Sequence, residues 1–253
     1  MTVKELYSKL DSDIPRSLSC EWDNDGLMCC PDGQAEVRRV LVTLDVTADT
    51  IQKAIDERYD VIVSHHPFIF KGLKSVSEEN FISDKAIRLI QNGISVFSFH
   101  TRLDALVGGV NDCLADLIGL KNTEPFGECG IGRIGELEIP MSGEELAGRV
   151  KALLGADGVL LSDSKKPCVR VAVLGGEGGD DIADAIRMGA DAYVSGRLGY
   201  HPMTDAPDMG ITLIEAGHFF TEQPVCERLS QMIKNIDATI ECDLFFSNRT
   251  KLI

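Results

Sequence analysis

The sequence DVIVSHHP, residues 60–67, joins a short apolar run to two adjacent histidines and a proline. A continuous apolar run of this length is typical of a strand that is buried on both faces of a parallel sheet. Pro67 biases the residue before it toward an extended backbone. We therefore predict a buried strand over residues 60–64, with His65 and His66 at its carboxyl end.

Short apolar segments of the same kind alternate with amphipathic segments on both sides of this stretch. The predicted strands cover residues 37–46, 60–64, 95–100, 133–139, 169–174, 192–195 and 211–215. The predicted helices cover residues 3–10, 49–57, 84–92, 110–118, 143–154, 181–188 and 221–235, with Thr221 as the N-cap of the last one. Such alternation indicates right-handed crossovers and a largely parallel sheet, which is the α/β class.

The composition bounds the class of protein. The chain has 253 residues, of which 44% are hydrophobic and 26% charged, and its formal net charge is −15. The length fits one large or two small domains. The acidic balance argues against non-specific nucleic-acid binding, and no apolar stretch reaches the ~18 residues that a membrane span needs. The N-terminus shows no export signal, so we expect a cytoplasmic protein with free thiols, since its eight cysteines form no CxxC pair.

All five histidines follow predicted strands or the loops after them: His65, His66, His100, His201 and His218. Ligands of open α/β sheets bind beyond the carboxyl ends of the strands, so these side chains are expected near one crevice. Asp104 follows His100 by four residues, and Glu222 follows His218 by four. Imidazole and carboxylate donors without thiolates suit a divalent ion of zinc, manganese, iron, cobalt or nickel.

The doubled histidine bears on the number of ions. Adjacent residues of an extended backbone point to opposite sides, so we expect His65 and His66 not to share one ion. If each reached a different ion, with a carboxylate bridging, the site would be a dinuclear centre with ions ~3.5–4 Å apart. The alternative is that one histidine is a ligand and the other packs.

Two further segments have more than one interpretation. In EWDNDGL, residues 21–27, we interpret the acidic and amide residues as turn formers and Trp22 as a packing anchor between lobes, in preference to catalysis. LGGEGGD, residues 174–180, fits a tight strand-to-helix turn, and the alternative is a loop that contacts a ligand. No GxSxG motif is present, which argues against covalent serine catalysis. Residues 121–132, rich in glycine and containing Pro125, are interpreted as a crossing between lobes.

Four ordered segments, EWDNDGL, SHHPFIF, SFHTRLDALVGGVNDCLADLIGL and EAGHFFTE, resemble the Nif-three-like dinuclear-metal family, whose members are often named GTP cyclohydrolase 1 type 2 homologs. The resemblance implies metal ligands at His65, His66, Asp104, His218 and Glu222, with Glu222 bridging two divalent ions per chain. It also implies two interleaved α/β lobes with mixed, largely parallel sheets and a metal cleft between them. We place the first lobe at residues 1–124 and 218–253 and the second at 125–217, without the domain that some members insert.

The same resemblance implies a homohexamer and a metal-dependent hydrolase acting on a nucleotide-like or phosphorylated small molecule. His100 and His201 are then the candidates for proton transfer. The alternative is a non-catalytic metal-binding or regulatory hexameric scaffold. The chain departs from the family at Arg197, where an acidic residue usually follows the Gly. Arg197 either adds a donor for an anionic substrate or pairs with one of the many acidic residues.

Overall fold

The computed structural model describes all residues, 1–253, and the chain forms two compact units. Residues 1–103 and 226–248 make up the first unit, and residues 104–225 and 249–253 make up the second. The lobe boundaries predicted from the sequence differ from these units. Residues 104–124 and 218–225 group with the second unit, because the helices in these segments pack on its sheet.

The secondary structure consists of eleven strands and ten α-helices. The strands are β1 (Gly26–Cys29), β2 (Arg39–Thr43), β3 (Val61–Ser64), β4 (Ser95–Ser98), β5 (Lys121–Phe126), β6 (Gly132–Met141), β7 (Leu160–Ser162), β8 (Cys168–Glu177), β9 (Ala192–Arg197), β10 (Thr212–Glu215) and β11 (Glu241–Phe245). The helices are α1 (Val3–Asp13), α2 (Ala48–Asp56), α3 (Phe81–Gln91), α4 (Thr101–Ala105), α5 (Val110–Ile118), α6 (Gly143–Leu154), α7 (Ile182–Arg187), α8 (Tyr200–Met209), α9 (His218–Glu222) and α10 (Val225–Ile236). None of these helices has the length and apolar character needed to cross a membrane.

The first unit is built on a five-stranded sheet with the order β1-β4-β3-β2-β11. Strands β11, β2, β3 and β4 are parallel, and β1 runs antiparallel at one edge. All residues of β3 and β4 are buried, as expected for central strands of a parallel sheet. The core beside this sheet contains, among others, Leu41, Ile51, Ile62, Leu89 and Val96. The carboxyl ends of β3 and β4 therefore lie on a rigid support.

The second unit has a six-stranded sheet with the order β5-β6-β8-β9-β10-β7. Its centre, β8-β9-β10, is parallel, and β5, β6 and β7 pair antiparallel. Successive residues of β8 enter different cores: Val171 and Val173 belong to one cluster, Ala172 and Leu174 to the other. Because alternate side chains of a strand point to opposite faces, the two clusters lie on the two faces of this sheet.

The α/β fold with two mixed sheets is confirmed, and helices α5 and α6 have the predicted bounds. Two local predictions are wrong, and one helix was not predicted. Residues 121–126 are not a crossing but the edge strand β5. Pro125 is tolerated there because an edge strand has backbone positions whose N–H need not pair with another strand. Thr221 is not an N-cap, since it lies inside α9. Helix α8, which contains His201, has no predicted counterpart.

Candidate metal centre

His65 and His66 directly follow β3, where the backbone leaves the sheet in a bend. Their amides still donate to the neighbouring segment, His65 N to Thr43 O at 3.2 Å and His66 N to Leu44 O at 2.9 Å. The two imidazole rings are 4.9 Å apart between centroids. The expectation that the side chains diverge is therefore wrong, because it assumed an extended backbone and the chain bends at these residues.

Both imidazoles are oriented by hydrogen bonds at Nδ1. His65 Nδ1 lies 2.8 Å from the carbonyl oxygen of Phe99, and His66 Nδ1 lies 2.8 Å from Oδ1 of Asp45. A carbonyl oxygen can only accept, so Nδ1 of His65 carries the proton and Nε2 keeps its lone pair. A carboxylate imposes the same tautomer on His66. Metal-binding histidines in proteins usually show this arrangement, in which the second nitrogen donates to an oxygen.

His100 lies two residues beyond β4 and has the same kind of partner. Its Nδ1 is 2.9 Å from Oδ1 of Asp23, whose Oδ2 accepts from the amide and the hydroxyl of Thr101 at 3.0 and 2.6 Å. Burial alone would raise the pKa of Asp23, but the hydrogen bonds from His100 and Thr101 outweigh it and lower the pKa to about 2. Asp23 therefore stays ionised, and His100 also presents Nε2.

This geometry corrects the interpretation of EWDNDGL. Asp23 and Asp25 are not simple turn formers, since both hold residues 100–102: Asp25 accepts from the amide of His100 at 3.3 Å and from Nε of the buried Arg102 at 3.0 Å. Trp22 is not a buried anchor, because 56% of it is exposed. The segment instead positions the histidine that follows β4.

Within the first unit, His65, His66 and His100 form one group. Each offers a nitrogen, and these atoms lie within 4.8 Å of one another. The centroids of the His65 and His66 rings are 5.3 and 5.8 Å from that of His100. His65 is fully buried, whereas the other two are partly exposed. His100, which was not predicted as a ligand, thus lies beside the two predicted ligands His65 and His66.

The second unit brings together three further predicted ligands, Asp104, His218 and Glu222. His218 and Glu222 are one helical turn apart on α9, with 3.1 Å between Nε2 and Oε2. Asp104 and Glu222 place carboxylate oxygens within 4.8 Å of each other, and both residues are buried. Glu222 thus lies beside both His218 and Asp104. Two buried carboxylates this close repel each other, and a cation beside them would relieve that repulsion.

Three glycines allow α9 to lie against strands β8 and β9. A Cβ on Gly176 would be 2.3 Å from Oε1 of Glu222, and one on Gly196 would be 2.6 Å from Cα of His218. Gly176 also has a φ of +73°, which favours glycine. Its amide donates to Oγ1 of Thr221 at 3.1 Å, and the amide of Gly175 donates to Oδ1 of Asn111 at 2.7 Å. LGGEGGD is therefore more than a tight turn: its first two glycines belong to β8 and make room for Glu222.

Two residues singled out from the sequence lie apart from these groups. His201 is exposed on α8, beside a surface cavity of about 380 Å³ lined also by Asp180 and Asp205, and it belongs to none of the groups that could hold a metal. Arg197 is exposed at the end of β9 and faces Glu177 at 4.0 Å. Arg197 thus pairs, loosely, with an acidic residue, which is one of its two predicted roles.

The residues present fit divalent metal ions. The donor atoms are imidazole nitrogens and carboxylate oxygens, which suit zinc and the neighbouring first-row metals. The Nδ1 contacts leave Nε2 of His65 and His66 as a lone-pair donor. The sequence analysis missed the groups that hold Nδ1 of the histidines, which are Asp23, Asp45 and the carbonyl of Phe99. Only Asp23 lay in a noted motif, and no sequence signal marks Asp45.

The chain belongs to the Duf34/NIF3 (NGG1p interacting factor 3) family, whose model matches residues 1–252. A relative from Clostridium acetobutylicum, named GTP cyclohydrolase 1 type 2 homolog, is 34% identical over 242 residues, which cover 92% of this chain and 90% of that protein. A protein NIF3 homolog of Schizosaccharomyces pombe is 32% identical over 95% of each chain. The family predicted from the four ordered segments is thereby confirmed.

Solved structures show the same fold. A protein of Staphylococcus aureus, SA1388, superposes with a TM-score of 0.90 at 28% identity and covers 100% of this chain and 99% of its own. A Bacillus cereus protein related to NIF3 reaches a TM-score of 0.91 over 100% and 99% of the two chains, at 23% identity. The reduced form of HcgD from Methanocaldococcus jannaschii has a TM-score of 0.84 at 28% identity, over 96% and 97%.

Proposed function

We propose that this protein binds two divalent metal ions and uses them to hydrolyse a nucleotide-like or phosphorylated small molecule. The proposed ligands are His65, His66, Asp104, His218 and Glu222, with Glu222 bridging. The observation that carries the proposal is the shared orientation of His65 and His66, whose Nδ1 atoms are held by Phe99 O and Asp45. These contacts hold each ring in the tautomer and orientation that a metal bond at Nε2 needs. Metal-binding histidines usually have such a partner for this reason.

A bound pair of divalent ions would supply Lewis acidity and neutralise negative charge on the substrate. The chain itself contributes a proton carrier, which we assign to His100. Its Nδ1 is paired with Asp23, so Nε2 is the nitrogen that would exchange a proton with the substrate. His201, exposed on α8 and outside the ligand groups, is the weaker candidate for this role.

The substrate class follows from charge and from the relatives' names. Net charge −15 makes the protein a poor general receptor for anions, so an anionic substrate needs a local positive charge, which the metal ions would provide. Relatives named GTP cyclohydrolase 1 type 2 homolog point to a purine nucleotide. Ring opening of a guanine and hydrolysis of a phosphoester can both use a centre of this kind.

The test is a substrate panel run on the purified, metal-loaded protein beside a variant that carries both His65→Ala and His66→Ala. The panel contains GTP, other nucleotides and model phosphoesters. We expect turnover that disappears in the double variant. Turnover that persists in a variant free of metal would overturn the hydrolase. Full metal occupancy without turnover on the whole panel would favour the non-catalytic scaffold or regulator.

We also propose a homohexamer, on the basis of the family resemblance. Light scattering should then give a molar mass six times the 27.6 kDa of the chain. A monomeric or dimeric mass, independent of metal loading and concentration, would contradict this assembly.

A further inference from the structure

Two exposed aromatic side chains, Trp22 and Phe70, flank His100 in the first unit, and we refer to them as the aromatic pair. Trp22 is 56% exposed and Phe70 is 47% exposed. Their ring centroids are 6.3 Å apart, and each lies 6.2 Å from the centroid of His100. The three rings meet edge to face, with interplanar angles between 70° and 87°. Exposed apolar side chains that cluster on a surface often mark a site of interaction.

The segments that carry the aromatic pair are anchored on both sides. Nδ2 of Asn24 donates to the carbonyl of Ile69 at 2.6 Å, which ties the segment that carries Trp22 to the segment that carries Phe70. The amide of Cys20 donates to Oγ1 of Thr101 at 3.0 Å, and Asp23 holds His100 and Thr101 as described above. The rings are therefore presented on a fixed backbone, which lowers the entropic cost of binding a ligand there.

The chemistry of this surface selects a flat, uncharged group. Its rings offer π-faces and carry no charge themselves, which suits an uncharged ring better than a phosphate. Heteroaromatic rings stack well on indole and phenyl faces, independently of the identity of the base. The position beside His100 places such a ring next to the proposed proton carrier.

We propose that Trp22 and Phe70 form a stacking subsite for the planar heteroaromatic ring of the substrate, with the dimensions of a nucleobase. This inference rests on the proposed function, because it assigns the base end of the same substrate. It separates recognition of the base, by the aromatic pair, from recognition of the phosphates, by the metal ions.

The protein offers a direct reporter, since Trp22 is its only tryptophan. Guanosine monophosphate, added to the metal-loaded protein and excited at the red edge of the indole absorption, should quench the emission in a saturable way. Ribose phosphate, which has the same charge-bearing end and no base, should leave the emission unchanged. Equal quenching by both compounds would overturn the subsite.

Substitution of Phe70 tests the partner ring. Loss of a stacking contact costs about a tenfold drop in affinity or more, so we expect Phe70→Leu to weaken guanosine monophosphate binding by that factor in the fluorescence titration. Phe246→Leu is the matched control, because Phe246 is also highly exposed and lies on the segment after β11. An affinity loss in Phe70→Leu no greater than in Phe246→Leu would overturn the subsite.

Metal counting and light scattering on the same samples separate this inference from the proposed function. The subsite would be overturned, and the hydrolase kept, by one set of results. Metal content is normal, base-free phosphoesters are turned over equally by wild type and Phe70→Leu, and no base-dependent quenching is seen. Base-dependent quenching in a chain that holds no metal would support the subsite and remove the hydrolase. A changed molar mass with unchanged nucleotide affinity in Phe70→Leu would assign the aromatic pair to a contact between copies, and so overturn the proposal.

Discussion

At the scale of single residues, the site depends on oxygen atoms that fix imidazoles. His65, His66 and His100 each have Nδ1 at 2.8 or 2.9 Å from an oxygen, and the three oxygens come from a backbone carbonyl and two carboxylates. A carboxylate partner also raises the basicity of the ring and so strengthens a metal bond. These partners are as important to the proposed centre as the ligands themselves.

Asp45→Asn tests this role. An amide removes the negative charge and can offer an N–H to Nδ1 of His66, which favours the wrong tautomer. We expect metal affinity to fall about 10–100-fold, measured by competition with a chromogenic chelator, with an unchanged circular dichroism spectrum. Asp56→Asn is the control, because Asp56 hydrogen-bonds only an exposed Gln52 side chain on α2. Equal affinities in the two variants would contradict the role assigned to Asp45.

At the scale of elements, the sequence predicted those whose pattern is set by burial. The apolar runs of β3 and β4 and the amphipathic periodicity of α5 and α6 are local signals. Strands β5 and β11 were missed because KNTEPF and ECDLF contain charged residues and lack a buried apolar run, and only pairing with β6 and β2 makes them strands. Helix α8 was missed because Pro202 and Pro207 obscure its pattern.

The candidate ligand residues were predicted from the sequence because histidines and carboxylates recur at strand ends and match a family pattern. Their geometry could not be predicted in this way. The bend that turns His65 and His66 toward each other, and the contact of α9 with β8 that needs Gly176, depend on tertiary structure. A local pattern carries no information about Cβ atoms that would collide across two elements.

Gly176→Ala tests the contact between α9 and β8. The new Cβ would overlap Oε1 of Glu222 and would hold a positive φ, so we expect a loss of more than about 3 kcal/mol in unfolding free energy and impaired metal binding. Gly189→Ala is matched, since Gly189 has a φ of +80° and open space around it, and it should lose only about 1–2 kcal/mol with normal metal affinity. Urea unfolding and metal titration give both values. Similar losses in the two variants would contradict the close packing on Glu222.

At the scale of the whole molecule, pH links the site to stability. The pKa of Asp23 falls from an ordinary 3.8 to about 2 in the folded protein, mainly through His100 and Thr101 acting against burial. Between these values the unfolded chain binds more protons than the folded one, so the stabilisation is complete above about pH 4 and is lost as the pH falls to about 2. Protonation of Asp23 therefore destabilises the folded protein as the pH falls through this range.

Asp23→Asn should accordingly be less stable than wild type at neutral pH, and the difference should shrink as the pH falls from about 4 to about 2. Urea unfolding at a series of pH values measures it, with Asp56→Asn as the reference for an exposed carboxylate. A difference that stays constant across this range would show that the ionisation of Asp23 does not stabilise the fold.

The proposed function depends on a two-ion centre, and the number of metal ions per chain is its decisive test. Protein reloaded with zinc or manganese and freed of excess ion is analysed by plasma mass spectrometry, beside the variant with His65→Ala and His66→Ala. We predict two divalent ions per chain in the wild type and fewer than one in the variant. A wild type that holds one ion or none, or a variant that keeps both, would contradict the dinuclear centre.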